Sequence, residues 1–488
     1  MLQKMLSKSR YLNGLQCPKL LWVAIHEPER IPEPDAATQH IFDQGHLVGE
    51  LAQKLFPGGI DIPTNNFMNN ISLTKKLLQK RKPLFEAGIL SGKIYSRVDI
   101  LNPVNDDEWD IIEVKSSTSV KDVNLHDVSF QKLCLENSGL KIRKCFLAYI
   151  NNQYIRNGEI NPEELFTIQD ISGEVDTAGE GIQDRITQML EVIGAPACPE
   201  SSIGPYCSDP YECALNECWD GLPEHNVFTL YYGGKKSYEL YNNGVLEIAG
   251  IPAGYKLNDK QCIQHDCVVD GTPYVDKDAI RQFLAGLKYP LYYLDFETFG
   301  TAIPLFDGTK PYQNIPFQFS LHVQESPGSD VKHFSFLAEG KRDPRPELLR
   351  SLNSVIGDSG SVVAYNKSFE ENVLLDSGKA FPEYANWIEN VVSRLVDLIV
   401  PFRSFHYYHP SQKGSASLKS VLPAITGQGY ENMPIARGDD ASLAFLAITF
   451  EDVPADEVAR VREELLAYCA LDTEGMIRII KRLREISG

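Results

Sequence analysis

The sequence predicts an α/β protein with more than one domain. Its 488 residues exceed the size of a typical single domain, and its apolar content of 43% is ordinary for a globular protein. Short apolar runs typical of strands alternate with longer helical patterns in both the first and the last part of the chain. We divide the chain into a first region at 1–220, a small β-containing connector at 221–287 and a third region at 288–488.

The connector is bounded by turn chemistry and contains short strand-like pieces. The stretch WDGLPE at 219–224 is rich in turn-forming residues and marks the first boundary. The runs VFTLYYG and GVLEIAG predict short strands separated by glycine-rich turns.

The third region is predicted to be a mixed sheet flanked by helices. We expect strands at 291–296, 316–324, 331–336 and 361–365. We expect helices at 345–356, 369–376, 384–399, 415–423, 441–447 and 454–482.

The first of these strands, LYYLDFE at 291–297, carries two carboxylates at the end of an apolar run. Asp295 and Glu297 are two residues apart, so they point to the same face of a strand. Two buried carboxylates repel each other unless a cation lies between them, and Mg²⁺ or Mn²⁺ prefers oxygen ligands. Taken alone, the pair also fits a strand end that leaves the core.

Two later segments supply further carboxylates. The run NKSFEEN places Glu370 at the start of a helical pattern, and YCALD places Tyr468 and Asp472 on one helix face. Four carboxylates and a tyrosine suit a hydrolase that cleaves phosphodiesters with two metal ions.

These three motifs, D-x-E, N-x-x-F-E and Y-x-x-x-D, resemble those of the DnaQ-like (DEDDy) exonucleases, which have an RNase H-like fold. The resemblance covers about residues 288–485. It implies 3′ to 5′ hydrolysis, with Tyr468 orienting the attacking water. Most members carry Asp where this chain has Glu370. The metal ligands that it implies are Asp295, Glu297, Glu370 and Asp472.

The first region contains a second set of carboxylates. The runs IYSRVDIL and WDIIEVKSS flank a polar turn and predict a β-hairpin. Asp99 lies in its first strand, and Glu113 and Lys115 share one face of its second strand. In phosphodiesterases such acids hold a metal while the lysine positions water or stabilises negative charge. A Glu-Val-Lys strand is also common for purely structural reasons.

This arrangement resembles the PD-(D/E)XK motif of RecB-like nucleases, which have a restriction-endonuclease-like fold. The resemblance implies catalytic roles for Asp99, Glu113, Lys115 and Gln131. It places Glu86 with Asp99 and Glu113 among the metal ligands. The histidine that the family carries in a G-x-x-x-H helix is displaced or absent, because Gly49 occupies that position between His46 and Glu50. The two flanking residues also fit a surface contact one helical turn apart.

Cysteines are concentrated in one segment. Four lie at Cys198, Cys207, Cys213 and Cys218, and Cys17 lies far upstream. In a chain expected to be cytoplasmic, this density favours metal or cluster ligation over disulfides. No C-x-x-C pair is present, so a zinc ribbon is a poor match.

The opening S-x-S-R-Y-L-x-x-L-x-C-P, together with the later cysteines, resembles iron–sulfur RecB-like nucleases, including the CRISPR-associated adaptation nucleases. The resemblance implies a [4Fe–4S] cluster on Cys17, Cys207, Cys213 and Cys218, with Cys198 in reserve. Zinc binding and free thiols remain alternatives.

Charge limits the range of partners. The net charge of −19 argues against indiscriminate binding of nucleic acid. Residues 1–82 nevertheless hold eleven Lys and Arg against seven Asp and Glu, with five of the basic residues at 75–82. That basic run fits either a solvated helix face or a patch that tracks phosphates. The sequence contains neither a run of about 18 apolar residues nor a signal-peptide pattern, so we expect a cytoplasmic protein without a membrane partner.

Together these features predict a metal-dependent nuclease that acts on DNA, at single-stranded ends, in repair or in anti-phage or CRISPR-related defence. RNA is a second candidate substrate for the third region. The alternatives are a nucleic-acid-binding protein in which one or both sites are vestigial, and a phosphohydrolase that acts on nucleotides.

Overall fold

The computed structural model describes residues 5–431 and 433–488. They form two compact units. The first comprises the described residues up to Gly221 together with Thr301–Tyr312, and the second comprises Leu222–Gly300 and Gln313–Gly488. The segment Thr301–Tyr312 therefore belongs to the first unit, although it lies within the second half of the chain.

The first unit is built on one mixed sheet. Its strands are β1 (Leu6–Ser7), β2 (Ile60–Asp61), β3 (Leu84–Ser91), β4 (Ile94–Val104), β5 (Glu108–Lys115), β6 (Lys141–Ile150) and β7 (Phe166–Asp170). Its helices are α1 (Lys8–Gln16), α2 (Pro18–His26), α3 (Ala36–Gln53), α4 (Phe67–Leu77), α5 (Asp122–Asn137), α6 (Pro162–Leu165), α7 (Ser172–Ala178) and α8 (Ile182–Gly194). The strand order is β2-β3-β4-β5-β6-β7, and β1 pairs with β4.

The predicted hairpin of this unit is confirmed. Strands β4 and β5 pair in an antiparallel ladder, and α5 then crosses over so that β6 lies parallel to β5. Leu101, Ile111 and Phe130 are buried in the core between the sheet and α5. The hairpin and its crossover helix therefore bring the ends of β4, β5 and α5 to one edge of the core.

The inserted segment Thr301–Tyr312 is held by hydrogen bonds within the first unit. The Arg156 Nη1 donates to the backbone oxygens of Pro304 and Leu305 at 2.8 and 2.9 Å. The Tyr312 hydroxyl donates to the backbone oxygen of Ser116.

The second unit is built on a five-stranded mixed sheet. The strands of the whole unit, including two outside that sheet, are β8 (Tyr274–Val275), β9 (Leu291–Phe299), β10 (Ile315–Gln324), β11 (Val331–Leu337), β12 (Ser361–Ala364), β13 (Leu395–Asp397) and β14 (Tyr407–Tyr408). Its helices are α9 (Lys235–Asn242), α10 (Asp259–Asp270), α11 (Lys277–Ala285), α12 (Arg345–Asn353), α13 (Ser368–Ala380), α14 (Ala385–Ser393), α15 (Val400–Arg403), α16 (Leu418–Thr426), α17 (Gly438–Phe450) and α18 (Ala455–Ser487). The sheet order is β11-β10-β9-β12-β13, and β14 and β8 form a separate pair.

The direction of the strands changes at β9. Strand β10 is antiparallel to both β9 and β11, whereas β9, β12 and β13 run parallel. One core, which includes Leu294 and Phe319, lies between the sheet and α12 to α14. A second core, which includes Tyr293 and Val363, packs against α16 and α18. Alternate residues of β9 thus face opposite cores, and Asp295 lies on the same side of the strand as Tyr293 and Glu297.

Four predicted strands of the third region are confirmed, but two other predictions of secondary structure are wrong. The expected helix at 384–399 ends at Ser393, because Leu395–Asp397 instead completes its backbone hydrogen bonds by pairing with β12. In the connector, Val227–Thr229 and Ile248–Gly250 are single turns of 3-10 helix rather than strands. Nearby glycines keep both apolar runs short. The side chains of Val227 and Ile248 pack with Leu240 from α9.

None of the helices in the described ranges combines the length and apolarity needed to cross a membrane.

Candidate functional site

Strand β9 places Asp295 and Glu297 at the centre of the second sheet. Asp295 lies opposite Ser320, and Glu297 lies opposite Gln318. Glu297 is buried and Asp295 is partly buried. A carboxylate oxygen from each lies within 4.8 Å of the other and of the Cys469 Sγ. The structure therefore brings the two predicted acids together and adds the Cys469 thiol.

Glu370 and Asp472 border this pair, although neither joins the group of ligand atoms that lie within 4.8 Å of one another. Glu370 lies in the first turn of α13, where it is only 2% exposed, and its Oε2 has no hydrogen-bond partner among the described atoms. Asp472 is buried on α18. Both carboxylates are close enough to Asp295 to raise its pKa by repulsion. The cluster of Asp295, Glu297, Glu370 and Asp472 thus combines three separate segments.

Burial is the main cause of the unusual acidity of this cluster. Loss of hydration, reinforced by repulsion from neighbouring carboxylates, raises the pKa values of Asp295 and Glu297 well above their ordinary range. Burial also raises the pKa of Glu370 to about 8 and that of Asp472 to about 6. The surrounding residues balance the negative charge of the four carboxylates only in part. The cluster therefore favours bound protons or a bound cation. Its oxygen-rich donor set and the unpaired Glu370 oxygen fit a hard divalent ion.

Tyr468 lies one helical turn before Asp472 and is buried beside it. The Tyr430 hydroxyl donates a hydrogen bond to Asp472 Oδ1. The Lys419 Nζ lies 5.2 Å from the centre of the Tyr468 ring and lowers the pKa values of Glu297 and Asp472. Sequence reasoning identified Tyr468 but missed Tyr430 and Lys419, because no local spacing connects either residue to the three motifs.

The first unit brings its predicted residues together in a different way. The Val114 N–H donates to Asp99 Oδ2 at 2.8 Å. The Lys115 Nζ donates to Glu113 Oε1 at 2.5 Å, and the Gln131 Nε2 donates to Glu113 Oε2 at 2.7 Å. The predicted set of Asp99, Glu113, Lys115 and Gln131 therefore forms one connected group.

Two further residues, Lys8 and Asp127, belong to this group and were missed. The Nζ of Lys8, the first residue of α1, lies 2.8 Å from Glu113 Oε1, 3.7 Å from Asp127 Oδ2 and 3.9 Å from Asp99 Oδ1. Asp127 also accepts hydrogen bonds from Lys115 and Gln131 at 3.0 and 2.9 Å. A Gln four residues after an Asp on a helix is a signal that could have identified Asp127.

We call Asp99, Glu113, Lys115, Gln131, Lys8 and Asp127 together the front group. Its two lysines change the pKa values of its carboxylates. Burial opposes ionisation of Glu113, but Lys115 and Lys8 overcome that effect and hold its pKa well below the usual range. Burial and repulsion from Glu113 raise the pKa of Asp99 to about 7. The front group is therefore largely neutralised by its own ammonium groups, in contrast with the cluster in the second unit.

The remaining candidates of the first unit lie farther from this pattern. Glu86 Oε2 and Arg97 Nε form an ion pair at 2.7 Å. Burial raises the pKa of Glu86. Glu86 interacts electrostatically with Lys8 and Glu113, so it borders the front group. His46 is exposed on α3.

The four cysteines assigned to a cluster lie near one another. Burial raises the pKa of Cys207 and of Cys213, and the charges of Cys17 and Cys218 raise both further. The Cys213 N–H donates to the Cys207 backbone oxygen at 2.7 Å. Cys198 packs in the same apolar group, but its thiol lies 3.7 Å from the Pro199 oxygen. The structure thus groups the assigned set, whereas Cys198 is not among the charges that raise the pKa of Cys207 or Cys213.

The spacing of these sulfurs bears on which group they fit. No disulfide joins any of the cysteines in the described residues. Within the described parts of the chain, no three cysteine sulfurs lie within 4.8 Å of one another. A tetrahedral zinc ion with Zn–S bonds of about 2.3 Å would require closer sulfurs. In a [4Fe–4S] cluster each cysteine binds a different iron, so wider spacing fits the cluster better than zinc.

Comparisons with known proteins give relatives without a described activity. The model of the family "Domain of unknown function (DUF2779)" matches residues 292–417, which include Asp295, Glu297 and Glu370. The "Uncharacterized protein MG366 homolog" of Mycoplasma pneumoniae is 29% identical over 212 residues, which are 40% of this chain and 32% of the relative. "Uncharacterized protein MG366" of Mycoplasma genitalium is 28% identical over 219 residues, covering 41% and 33%.

A third relative, "Uncharacterized protein UU173" of Ureaplasma parvum, is 24% identical over 229 residues, which are 42% of this chain and 33% of that protein. The matched part of the chain thus spans about a third of the length of these relatives. The segment that matches the family model therefore contains three of the four clustered carboxylates of the second unit.

Proposed function

We propose that the second unit is a metal-dependent exonuclease of the DnaQ-like type, which hydrolyses phosphodiester bonds at single-stranded ends of DNA. The observation that carries this proposal is the cluster of four carboxylates with raised pKa values and no ion pair to a lysine or arginine in the described residues. Such an excess of buried negative charge is costly unless it serves to bind cations.

The fold of the second unit supports the proposal. The central strand β9 carries the first two acids, with antiparallel β10 and β11 on one side and parallel β12 and β13 on the other. This mixed sheet, with Asp472 supplied by a C-terminal helix, supports an RNase H-like domain.

In this proposal the four carboxylates hold Mg²⁺ or Mn²⁺. Such ions supply activation of a water molecule and stabilisation of the charge that develops on the phosphate. Asp295 and Glu297 offer oxygens from the rigid centre of the sheet. The Tyr468 hydroxyl orients the attacking water, and the Lys419 ammonium attracts the phosphate towards the cluster.

The proposal is tested with Asp295→Asn and Asp472→Asn in a full chain that also carries Asp99→Asn and Lys115→Met, which silence the proposed centre of the first unit. Each substitution keeps the size of the side chain and removes a charge, so we expect Mn²⁺-dependent degradation of end-labelled single-stranded DNA to fall more than about 100-fold. The matched control is Asp376→Asn, because Asp376 is a half-exposed aspartate on α13 whose ion-pair partner among the described residues is Lys379, and the change should leave the rate unchanged. Degradation at the wild-type rate by both variants would overturn the proposal. A parallel RNA oligonucleotide decides between the two substrates.

For the first unit we propose a RecB-like nuclease centre with a PD-(D/E)XK, restriction-endonuclease-like fold. The hairpin β4–β5 and helix α5 support it, because they bring Asp99, Glu113, Lys115 and Gln131 into one group. Asp99→Asn combined with Lys115→Met should remove the activity that remains in Asp295→Asn.

One observation favours the alternative for the first unit, in which the site binds nucleic acid without catalysis. Lys8 lies among the same carboxylates that would bind the metal. Undiminished activity in the Asp99 and Lys115 variants would assign all hydrolysis to the second unit.

We also propose that Cys17, Cys207, Cys213 and Cys218 bind a structural [4Fe–4S] cluster. The electrostatic coupling of their thiols supports this ligand set. A cluster there would hold the start of α2 against the loop that ends the first unit. We propose a role in DNA repair or in defence against foreign DNA, on the basis of the two proposed nuclease centres.

A further inference from the structure

A cavity of about 580 Å³ lies within the second unit. One wall comes from the connector, at Tyr231 and Tyr232. The opposite wall comes from the turn between β12 and α13, at Tyr365 and Asn366, and from the segment that leads into α16. The connector therefore does more than join two predicted domains, because it closes a cavity against the sheet-containing part of its own unit.

The cavity adjoins the carboxylate cluster through two elements. Asn366 lies four residues before Glu370, so about one helical turn separates the cavity wall from a proposed metal ligand. On the other wall, Leu418 is followed by Lys419, whose ammonium influences the pKa values of Glu297 and Asp472. The cavity and the carboxylate cluster are thus formed by neighbouring residues of the same two segments.

The wall at Tyr232 has the properties of a stacking platform. The Tyr232 side chain is 82% exposed, although its backbone has a φ of +46°, a conformation that tyrosine rarely adopts. Its ring meets the Tyr231 ring edge-on at 4.6 Å between centres, and Tyr231 in turn packs on Phe405 at 4.8 Å. The Tyr231 N–H donates to Gln264 Oε1 at 2.7 Å. A buried, hydrogen-bonded tyrosine therefore supports an exposed one.

Polar groups at the rim suit a phosphate. The Arg403 side chain is about half exposed, and its Nη2 lies 3.4 Å from Asp397 Oδ2, so its other nitrogens are available. Ser417 precedes α16 without capping it through its side chain; the Ser420 N–H donates to the Ser417 backbone oxygen, and the N–H groups of Leu418 and Lys419 are left for a ligand. An aromatic face beside a guanidinium and hydroxyl groups is the combination that recognises a nucleotide without reading its sequence.

We propose that this cavity binds an unpaired base of single-stranded nucleic acid, stacked on Tyr232, next to the phosphodiester held at the carboxylate cluster. The inference rests on the proposed function, since it specifies how the substrate of the carboxylate cluster is bound. It assigns to the connector a part of the substrate-binding surface.

The test measures binding without hydrolysis. Fluorescent oligo(dU) and oligo(U) are titrated with the full chain in EDTA, and affinity is followed by anisotropy. We expect Tyr232→Ala to weaken binding about tenfold, because stacking of one base on an aromatic ring has an effect of this order. Tyr232→Trp should restore the affinity. Tyr274→Ala is the matched control, since Tyr274 is an exposed tyrosine of the connector that does not line the cavity.

A second probe separates stacking from general damage. An otherwise identical oligonucleotide with an abasic 3′-terminal nucleotide should bind wild type and Tyr232→Ala equally. The proposal is overturned if Tyr232→Ala binds the intact oligonucleotide as tightly as wild type, if Tyr232→Trp fails to rescue, or if wild type binds neither oligomer. Because no hydrolysis is measured, loss of the proposed nuclease activity would leave this comparison decisive. The stronger of the two oligomers identifies the preferred sugar.

Discussion

The Nζ of Lys8 and the Oε1 of Glu113 lie 2.8 Å apart, although 105 residues separate them in the chain. This contact joins the first helix to the strand that carries the front group. In the second unit no ammonium lies within ion-pair distance of Asp295 or Glu297 in the described residues; there Lys419 acts only at longer range. The two carboxylate groups therefore differ in how their charge is balanced, and this difference leads to the first two predictions.

Lys8→Met should destabilise the first unit and increase its response to metal. Removing one ammonium leaves the buried Glu113 less compensated, so we expect the free energy of unfolding to fall by about 1–3 kcal/mol. Mg²⁺ should then raise the melting temperature of the variant more than that of wild type. Chemical denaturation and thermal melting with and without Mg²⁺ measure both effects.

The control for Lys8 is Lys141→Met, because Lys141 pairs with Asp107 at the surface. Its effect should stay below about 0.5 kcal/mol. Equal stability of Lys8→Met and wild type would show that Lys8 does not balance the front carboxylates.

Stability of the metal-free protein should fall as pH rises towards 8. The folded-state pKa of Glu370, about 8, lies above its ordinary value of 4.5, so the folded protein holds a proton that the unfolded chain releases. The stabilising effect of that proton is complete at low pH and is lost as pH rises through the folded-state pKa. The Asp472 pKa of about 6 acts in the same direction. Melting curves between pH 5 and pH 8 in EDTA measure the slope.

Glu370→Gln isolates the contribution of one group to this slope. The variant should be more stable than wild type at pH 8 by about 1–3 kcal/mol, and the gain should shrink towards pH 5. Mn²⁺ should reduce the pH dependence of wild type, since it binds the deprotonated carboxylates. A variant whose slope equals that of wild type would rule out Glu370 as its source.

Substitution of a proposed cluster ligand should remove bound iron. Cys17→Ala and Cys213→Ala proteins, purified without oxygen, should lose iron and the visible absorption of an iron–sulfur cluster. Cys198→Ala should keep both, because Cys198 is not among the charges that raise the pKa of Cys207 or Cys213. Iron content and absorbance are measured side by side. Zinc in place of iron in the wild-type protein would support the other metal.

Gly414→Ala should disturb the contact between the connector and the segment before α16. An added Cβ would lie 2.2 Å from the Thr229 backbone oxygen, and that backbone cannot move aside easily. Gly427 has nearly the same φ, +76° against +75°, but an added Cβ there meets no atom within 4 Å. Gly414→Ala should therefore be less stable than Gly427→Ala by about 1–3 kcal/mol in chemical denaturation. Equal losses would mean that only the backbone conformation matters.

The parts of the site that sequence reasoning found share a short-range origin. Asp295 and Glu297 follow from the alternation of a strand, and Tyr468 and Asp472 from the turn of a helix. The same local rules located the hairpin that carries Asp99 and Glu113. These patterns are visible because both members of each pair lie on one element.

The missed residues depend on contacts between distant elements. Lys8 reaches Glu113 only because α1 packs beside the hairpin, and Tyr430 reaches Asp472 from a loop 42 residues away. In the connector, Val227 and Ile248 lie in runs that resemble strands locally, but their packing on α9 outweighs that preference. Tertiary packing, which no local spacing encodes, decided these cases.

The segment Thr301–Tyr312 gives the chain an unusual constraint on how its parts can be exchanged. The polypeptide passes between the two units at 221/222, at 300/301 and again at 312/313. No single cut therefore releases either unit whole, and a gene fragment that starts after Gly221 encodes a loop whose hydrogen-bonding partners, such as Arg156, it lacks. Recombination at one crossover would likewise leave both products incomplete, so the two units are expected to be inherited, expressed and lost together.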